Sequence, residues 1–156
     1  TETRQWKKAI EILIRVTDLE KDKVRRAKYF YTAAVIERDE IKSLDEAIDF
    51  FNQSLDESPD LLKAFEGIDR ICTQKKDWKL QERNYRKMIK RLTPEAGLQD
   101  LPADKRATLI ALWHALGEIY RSRLRNFQSA SQAFEVAAQL EPENLTRHEI
   151  RSGELL

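Results

Sequence analysis

Apolar residues recur along this chain at intervals of three and four, with short polar breaks between the runs. Ala9, Leu13 and Val16 open the series, and Phe65, Ile68 and Cys72 continue it. Such spacing lines apolar side chains along one face of a helix with about 3.6 residues per turn, so helices are predicted almost throughout. The polar breaks put them near 3–17, 21–40, 44–57, 60–74, 78–92, 103–124, 127–140 and 144–151. The expected fold class is all-α.

A longer period lies on top of this one. From Trp113 the chain reads Trp113, Leu116, Gly117, Tyr120, then Ala130, Phe134, Ala137 and Pro142. Sliding back 83 residues superposes Phe30 on Trp113, Ala33 and Ala34 on Leu116 and Gly117, Ala47 on Ala130, Phe51 on Phe134 and Pro59 on Pro142. Only Glu37, standing where Tyr120 does, breaks the match. Phe65, Ile68, Cys72, Trp78, Gln81, Tyr85 and Met88 form a third copy between the two. Small residues belong where two helices of a hairpin approach closely, aromatics fill the space between hairpins, and a proline ends the second helix. The step from first-helix aromatic to second-helix small residue is 17 positions in the Phe30 and Trp113 units and 16 in the Phe65 unit. Alternate units therefore share a one-residue insertion, and a two-repeat period is expected.

Taken together, these positions resemble the tetratricopeptide repeat family, whose pattern is an aromatic, Leu-Gly and Tyr on one helix, then Ala, Phe and a closing Pro. The resemblance implies a right-handed superhelical solenoid of antiparallel helix hairpins, forming one domain over 1–156. Its parts would be a second helix at 3–20, repeats at 21–59, 60–93 and 104–143, a loop insertion at 94–103, and a partial repeat or cap at 144–156. Trp6, Ile10, Leu13 and Ile14 would form an apolar face without a first helix to cover it. That face calls for a longer array or for another copy stacked on it, a route to self-association. The 93–104 segment reads as a connector packed by Leu98 and Leu101, with a functional insertion as the alternative.

The resemblance further implies that first helices line a concave groove that binds an extended peptide or a partner helix, without catalysis, metal or cofactor. By the family's register the groove residues are Lys28, Tyr31, Val35 and Arg38, then Lys63, Glu66, Arg70 and Thr73, then Ala111, His114, Glu118 and Arg121. They lean basic, with Tyr31 as an apolar anchor, so the expected partner is a protein segment bearing acidic residues and at least one apolar side chain. Co-chaperone members of the family grip a C-terminal carboxylate with Lys, Asn, Asn, Lys and Arg. Here those positions are Tyr31, Val35, Gly67, Ala111 and Ala115, so chaperone tails are not expected ligands. Likeness to long bacterial arrays points to an envelope, motility or assembly system.

Composition narrows the rest. Lys and Arg number 28 against 27 Asp and Glu, so there is no global drive toward nucleic acid or an anionic membrane. No apolar run approaches the roughly 20 residues of a spanning helix. One cysteine, Cys72, leans toward a reducing cytoplasm and leaves the periplasm open; it sits at a core position, as a small hydrophobe would. Two histidines and no Gly-rich phosphate loop give little catalytic material. His114 and Glu118 are four apart but only two ligands, His148-Glu149 lacks a second His because Ser152 stands there, and the Asn52 and Asn144 glycosylation triplets read as accidental. A local exception is Lys75 to Arg91, with Lys79, Arg83, Arg86 and Lys90 in one stripe near Trp78 and Tyr85. It supports an alternative, an RNA-binding helical repeat, although both aromatics fall at core positions, and the acidic helix before it offers countercharge. A third alternative is a regulatory module of a larger enzyme.

Overall fold

The computed structural model describes residues 1–141, and its regular elements are all helical. Seven α-helices follow one another: α1 (Glu2–Leu19), α2 (Lys23–Ile36), α3 (Leu44–Glu57), α4 (Leu62–Lys75), α5 (Trp78–Leu92), α6 (Ala103–Glu118) and α7 (Phe127–Leu140). Helices α2 and α6 each run on into a five-residue π-helical turn, Glu37–Ile41 and Ile119–Arg123. Expectations that fall on Pro142, Asn144, His148 and the segment 144–156 lie outside the described residues.

The chain forms two compact units that divide between Asp77 and Trp78, within the hairpin expected at 60–93. In the first, α1 packs on α2, α2 on α3 and α3 on α4. Helix α3 buries Ala47, Ile48, Phe51, Ser54 and Leu55, a stripe at helical spacing that faces its neighbours. The α2 and α3 helices are antiparallel because they are tied at both ends. At one end the Ser43 amide donates to the Glu37 carbonyl at 2.8 Å. At the other, the buried Ser54 hydroxyl donates to the Ala27 carbonyl at 2.7 Å. Arg26 adds a clasp there: it pairs with Glu57 at 3.1 Å and donates to the Thr17 and Glu20 carbonyls that end α1.

The second unit packs α5 on α6 and α6 on α7. Its core holds Met88, Leu109, Leu116, Ala137 and Leu140. Between α5 and α6 the connector is packed as expected, with Leu101 buried and Leu98 half-buried. Arg106 holds it, donating to the Leu98 carbonyl at 3.2 Å and to the last carbonyl of α7, on Leu140, at 3.3 Å.

The insertion shared by alternate units takes a definite form. After α2 and after α6 the chain widens into the π-turn, and an amide bonds to the carbonyl six residues back: Ser43 to Glu37 and Asn126 to Tyr120, both at 2.8 Å. These pairs are 83 residues apart, as are the left-handed residues Lys42 (φ 69°) and Arg125 (φ 55°) that precede them. The turn after α4 is one residue tighter, with the Asp77 amide bonding five back to Cys72 at 3.0 Å and Lys76 left-handed at φ 54°. A single extra residue is absorbed by widening one helical turn, because the next helix must still start in register with its core face.

Helix α1 differs from expectation. Ile10 is buried and Trp6 and Leu13 are half-buried, since α2 covers that face. The apolar side chains left exposed are Ile12, Ile14, Val16 and Leu19. Ile14 belongs to the face expected to lie uncovered and Val16 to the periodic series, while Ile12 and Leu19 extend the exposed apolar surface beyond both.

Candidate functional site

Eight of the expected groove residues fall in the first unit, on the sides of α2 and α4 turned from the core and, for Arg38, in the π-turn. Lys28, Lys63, Glu66, Arg70 and Thr73 are exposed, while Tyr31, Val35 and Arg38 are half-buried. Two contacts align the helices. The Lys63 ammonium lies 4.5 Å from the Tyr31 ring centroid, and Arg38 and Arg70 line one cleft. Both pairs are 32 residues apart, so α2 and the turn that extends it run alongside α4 in the same direction.

Phe51 of α3 is the support beneath this face. Its ring is fully buried, tilted against Tyr31 at 5.6 Å between centroids, with the Arg38 guanidinium 5.8 Å from its centre. It presses on α4 where Gly67 offers no side chain; a Cβ there would stand 2.7 Å from the ring. The Tyr31 ring, expected as an apolar anchor, is therefore already engaged by Phe51 and by the Lys63 cation.

The second unit repeats the arrangement in part. Ala111, His114, Glu118 and Arg121 are all exposed on α6 and its π-turn. His114 stands 83 residues after Tyr31, and its ring tilts against Phe134 at 5.9 Å as Tyr31 does against Phe51. Phe134 packs over Gly117 of its own hairpin, a Cβ there falling 2.6 Å from the ring. His114 also lies 3.6 Å from the Glu141 carboxylate.

Charge pairing reshapes the expected basic lean. Arg38 makes two bonds to Asp39, 2.8 Å from Nε and 3.0 Å from Nη2. These bonds hold the Asp39 carboxyl below its usual range, with the Arg38 and Lys42 charges adding to the effect. Arg121 pairs in the same two-pronged way with Glu118, at 3.1 and 2.7 Å, and holds that carboxyl low. Of the expected groove cations, Lys28, Lys63 and Arg70 have no ion-pair or hydrogen-bond partner among the described residues, Lys63 lying over the Tyr31 ring; Lys42, which the family register did not single out, joins them, its charge acting on Asp39. The one signal for Lys42 in the sequence was the extra residue in the Phe30 unit.

On α5, Lys79, Arg83, Arg86 and Lys90 are exposed together. Arg86 pairs with Glu82 at 3.4 Å. The aromatics beside them offer no stacking platform: Tyr85 is buried, and Arg123 sits 4.3 Å from the centre of the Trp78 ring.

One structural position holds three different polar groups. Cys72 is fully buried, and burial first, then Asp69 and Asp77, pushes its thiol up to about 11, which makes it inert at neutral pH. Tyr120, at the matching place, donates to Glu82 Oε1 at 2.7 Å, and burial with that bond pushes its hydroxyl up to about 12. Glu37 takes the place in the first unit; burial, then Glu46, raises its carboxyl, against a lowering by Lys7.

The chain matches no protein-family model, no curated protein and no solved structure. The geometry therefore has to speak for itself. Among the described residues no group of three or more His, Cys, Asp or Glu is placed to hold a metal ion, and no helix is long and apolar enough to cross a membrane.

Proposed function

We propose that this protein is a non-catalytic helical-repeat scaffold, tetratricopeptide-like and solenoidal in arrangement, which binds a peptide or helix of a partner protein along its first helices. The observation that carries the reading is the recurrence at 83 residues of one hairpin design. The same six-residue turn bond, the same left-handed basic residue and the same tilted ring pair, Tyr31 with Phe51 and His114 with Phe134, appear in both units. Repetition of this kind gives each unit an equivalent set of exposed first-helix side chains, which suits an extended or helical ligand. An acidic partner with an apolar residue fits the unpaired Lys28 and Arg70 and the exposed edge of Tyr31.

The test is affinity capture from the native extract, comparing the chain with a variant carrying Lys28→Glu, Tyr31→Ala and Lys63→Glu that circular dichroism shows to be fully helical. A protein held by the parent and released by the variant supports the α2–α4 face. Identical retention by both rejects it.

The second reading, RNA binding through α5, draws on the exposed Lys79, Arg83, Arg86 and Lys90. Oligonucleotide binding that falls steeply with salt and vanishes on reversal of those four charges would favour it over the scaffold.

A further inference from the structure

We propose that the cleft between the α2–α3 turn and the C-terminal half of α4 is a subsite for a carboxylate-bearing side chain, Asp or Glu, of a partner peptide. This rests on the scaffold reading and assigns a particular place and chemistry within it. The cleft encloses about 500 Å³, room for more than one side chain, and lies wholly in the first unit.

Its lining combines three features. Arg38 is locked to Asp39 by two hydrogen bonds, so that pair forms a rigid, neutral wall. Lys42, left-handed at the end of the same turn, lines the cleft beside that pair and acts on Asp39 by its charge, and α4 contributes Arg70 and Gln74. None of Lys42, Arg70 and Gln74 has a hydrogen-bond or ion-pair partner among the described residues, and all are exposed. The apolar part of the lining is Ile71, which is buried, and Leu44.

The cleft thus carries three cations and one anion, with two cations and an amide uncommitted. A single carboxylate can take hydrogen bonds from Arg70, Lys42 and Gln74, which are charge-assisted in the first two cases and therefore strong. The aliphatic stem of a Glu side chain covers Ile71 and Leu44. The scaffold reading supplies a peptide carboxylate as the anion for these cations, and inorganic phosphate is the competing occupant that the test distinguishes. A nucleic-acid strand fits less well, since the cleft offers two free cations and no aromatic ring for a base to stack on. The sequence register contributed Arg38 and Arg70; the turn brings Lys42 to them.

The test uses the whole chain and a peptide of alternating Glu and Leu capped at both ends, beside its Gln-for-Glu counterpart, at low ionic strength. Binding is followed by amide chemical shifts and by fluorescence anisotropy. The expected result is that the Glu peptide moves the amides of Lys42, Arg70 and Gln74, and that Lys42→Glu with Arg70→Glu weakens it about tenfold or more, the factor that one charge-assisted bond of about 1.4 kcal/mol represents. Asp39→Asn should tighten binding, a gain that misfolding cannot mimic, and Lys42→Arg with Arg70→Lys should retain it. Equal binding of the Gln peptide, unchanged affinity in the reversed variant, no shift at these amides, or inorganic phosphate occupying them more tightly than the Glu peptide would each overturn the subsite. A captured partner that the Lys42→Glu, Arg70→Glu chain still holds, but the Lys28→Glu, Tyr31→Ala, Lys63→Glu chain releases, would overturn the subsite and leave the scaffold reading standing.

Discussion

Gly67→Ala tests the contact on which the first unit's α3–α4 packing depends. A β-carbon at Gly67 falls 2.7, 2.8 and 3.1 Å from Cζ, Cε2 and Cε1 of Phe51. The ring cannot swing aside, because Phe51 is fully buried and flanked by Tyr31 and the Arg38 guanidinium. Alanine improves helix propensity by about 1 kcal/mol, while overpacking a filled site costs about 1–3 kcal/mol. The net expectation is a destabilisation of about 1 kcal/mol, a fall in melting temperature of about 2–4 °C for a chain of this size.

The decisive measurement is a double-mutant cycle with Phe51→Leu. Leucine lacks all three of the atoms in conflict, so the new methyl would occupy vacated space. Phe51→Leu alone leaves a cavity and should cost about 1–2 kcal/mol, below the 3–5 kcal/mol of a Phe→Ala change. In the double variant Gly67→Ala should become stabilising, giving a favourable coupling of about 1–2 kcal/mol by urea denaturation followed at the far-UV helical signal. Effects that add to within about 0.5 kcal/mol would refute the reasoning. Gly117→Ala should cost less than Gly67→Ala, because Phe134 is only half-buried and has room to yield.

Two further outcomes follow from the polar groups at the end of the first helices. Glu37 has a folded carboxyl raised above its ordinary value of 4.5, chiefly by burial, so the folded state holds this proton more tightly than the unfolded chain. The stability it contributes is present below 4.5 and is lost as pH rises through that value and the higher folded one; Glu37→Gln should be more stable than the parent at neutral pH, the difference closing in acid melts. Cys72, fully buried with its thiol pushed up to about 11, should resist a disulfide reagent in the native chain and react stoichiometrically in denaturant; immediate native labelling would contradict its placement.

Local pattern was enough to establish the helices and most of the core. Predicted segments at 44–57, 78–92 and 127–140 coincide with α3, α5 and α7 at both ends. Spacing of three and four residues is a property of one helix, so it needs no knowledge of neighbours, and Phe51, Ile68 and Leu116 were legible as core for that reason. The 17-against-16 spacing was legible too, but its form was not: only the folded turns show that the extra residue becomes a π-turn with Lys42 and Arg125 left-handed beyond it.

Which charges stay free was decided by the folded side chains. Arg38, Arg70 and Arg121 look equivalent in the repeat register, yet the sequence neighbours Asp39 and Glu118 pair with the first and last, as local spacing permits without requiring, while Arg70 stays free. Coulombic partnership depends on distances of a few ångströms and on rotamers, neither of which a residue's type encodes. For the same reason Glu37 broke the repeat pattern in the sequence but is buried in the fold, among Glu46 and Lys7 from two other helices. Of the α1 face expected to lie uncovered, Ile14 is exposed while Ile10 is buried and Trp6 and Leu13 half-buried, since which residues a neighbour covers is set by the packing of α2 rather than by the periodicity of α1 itself.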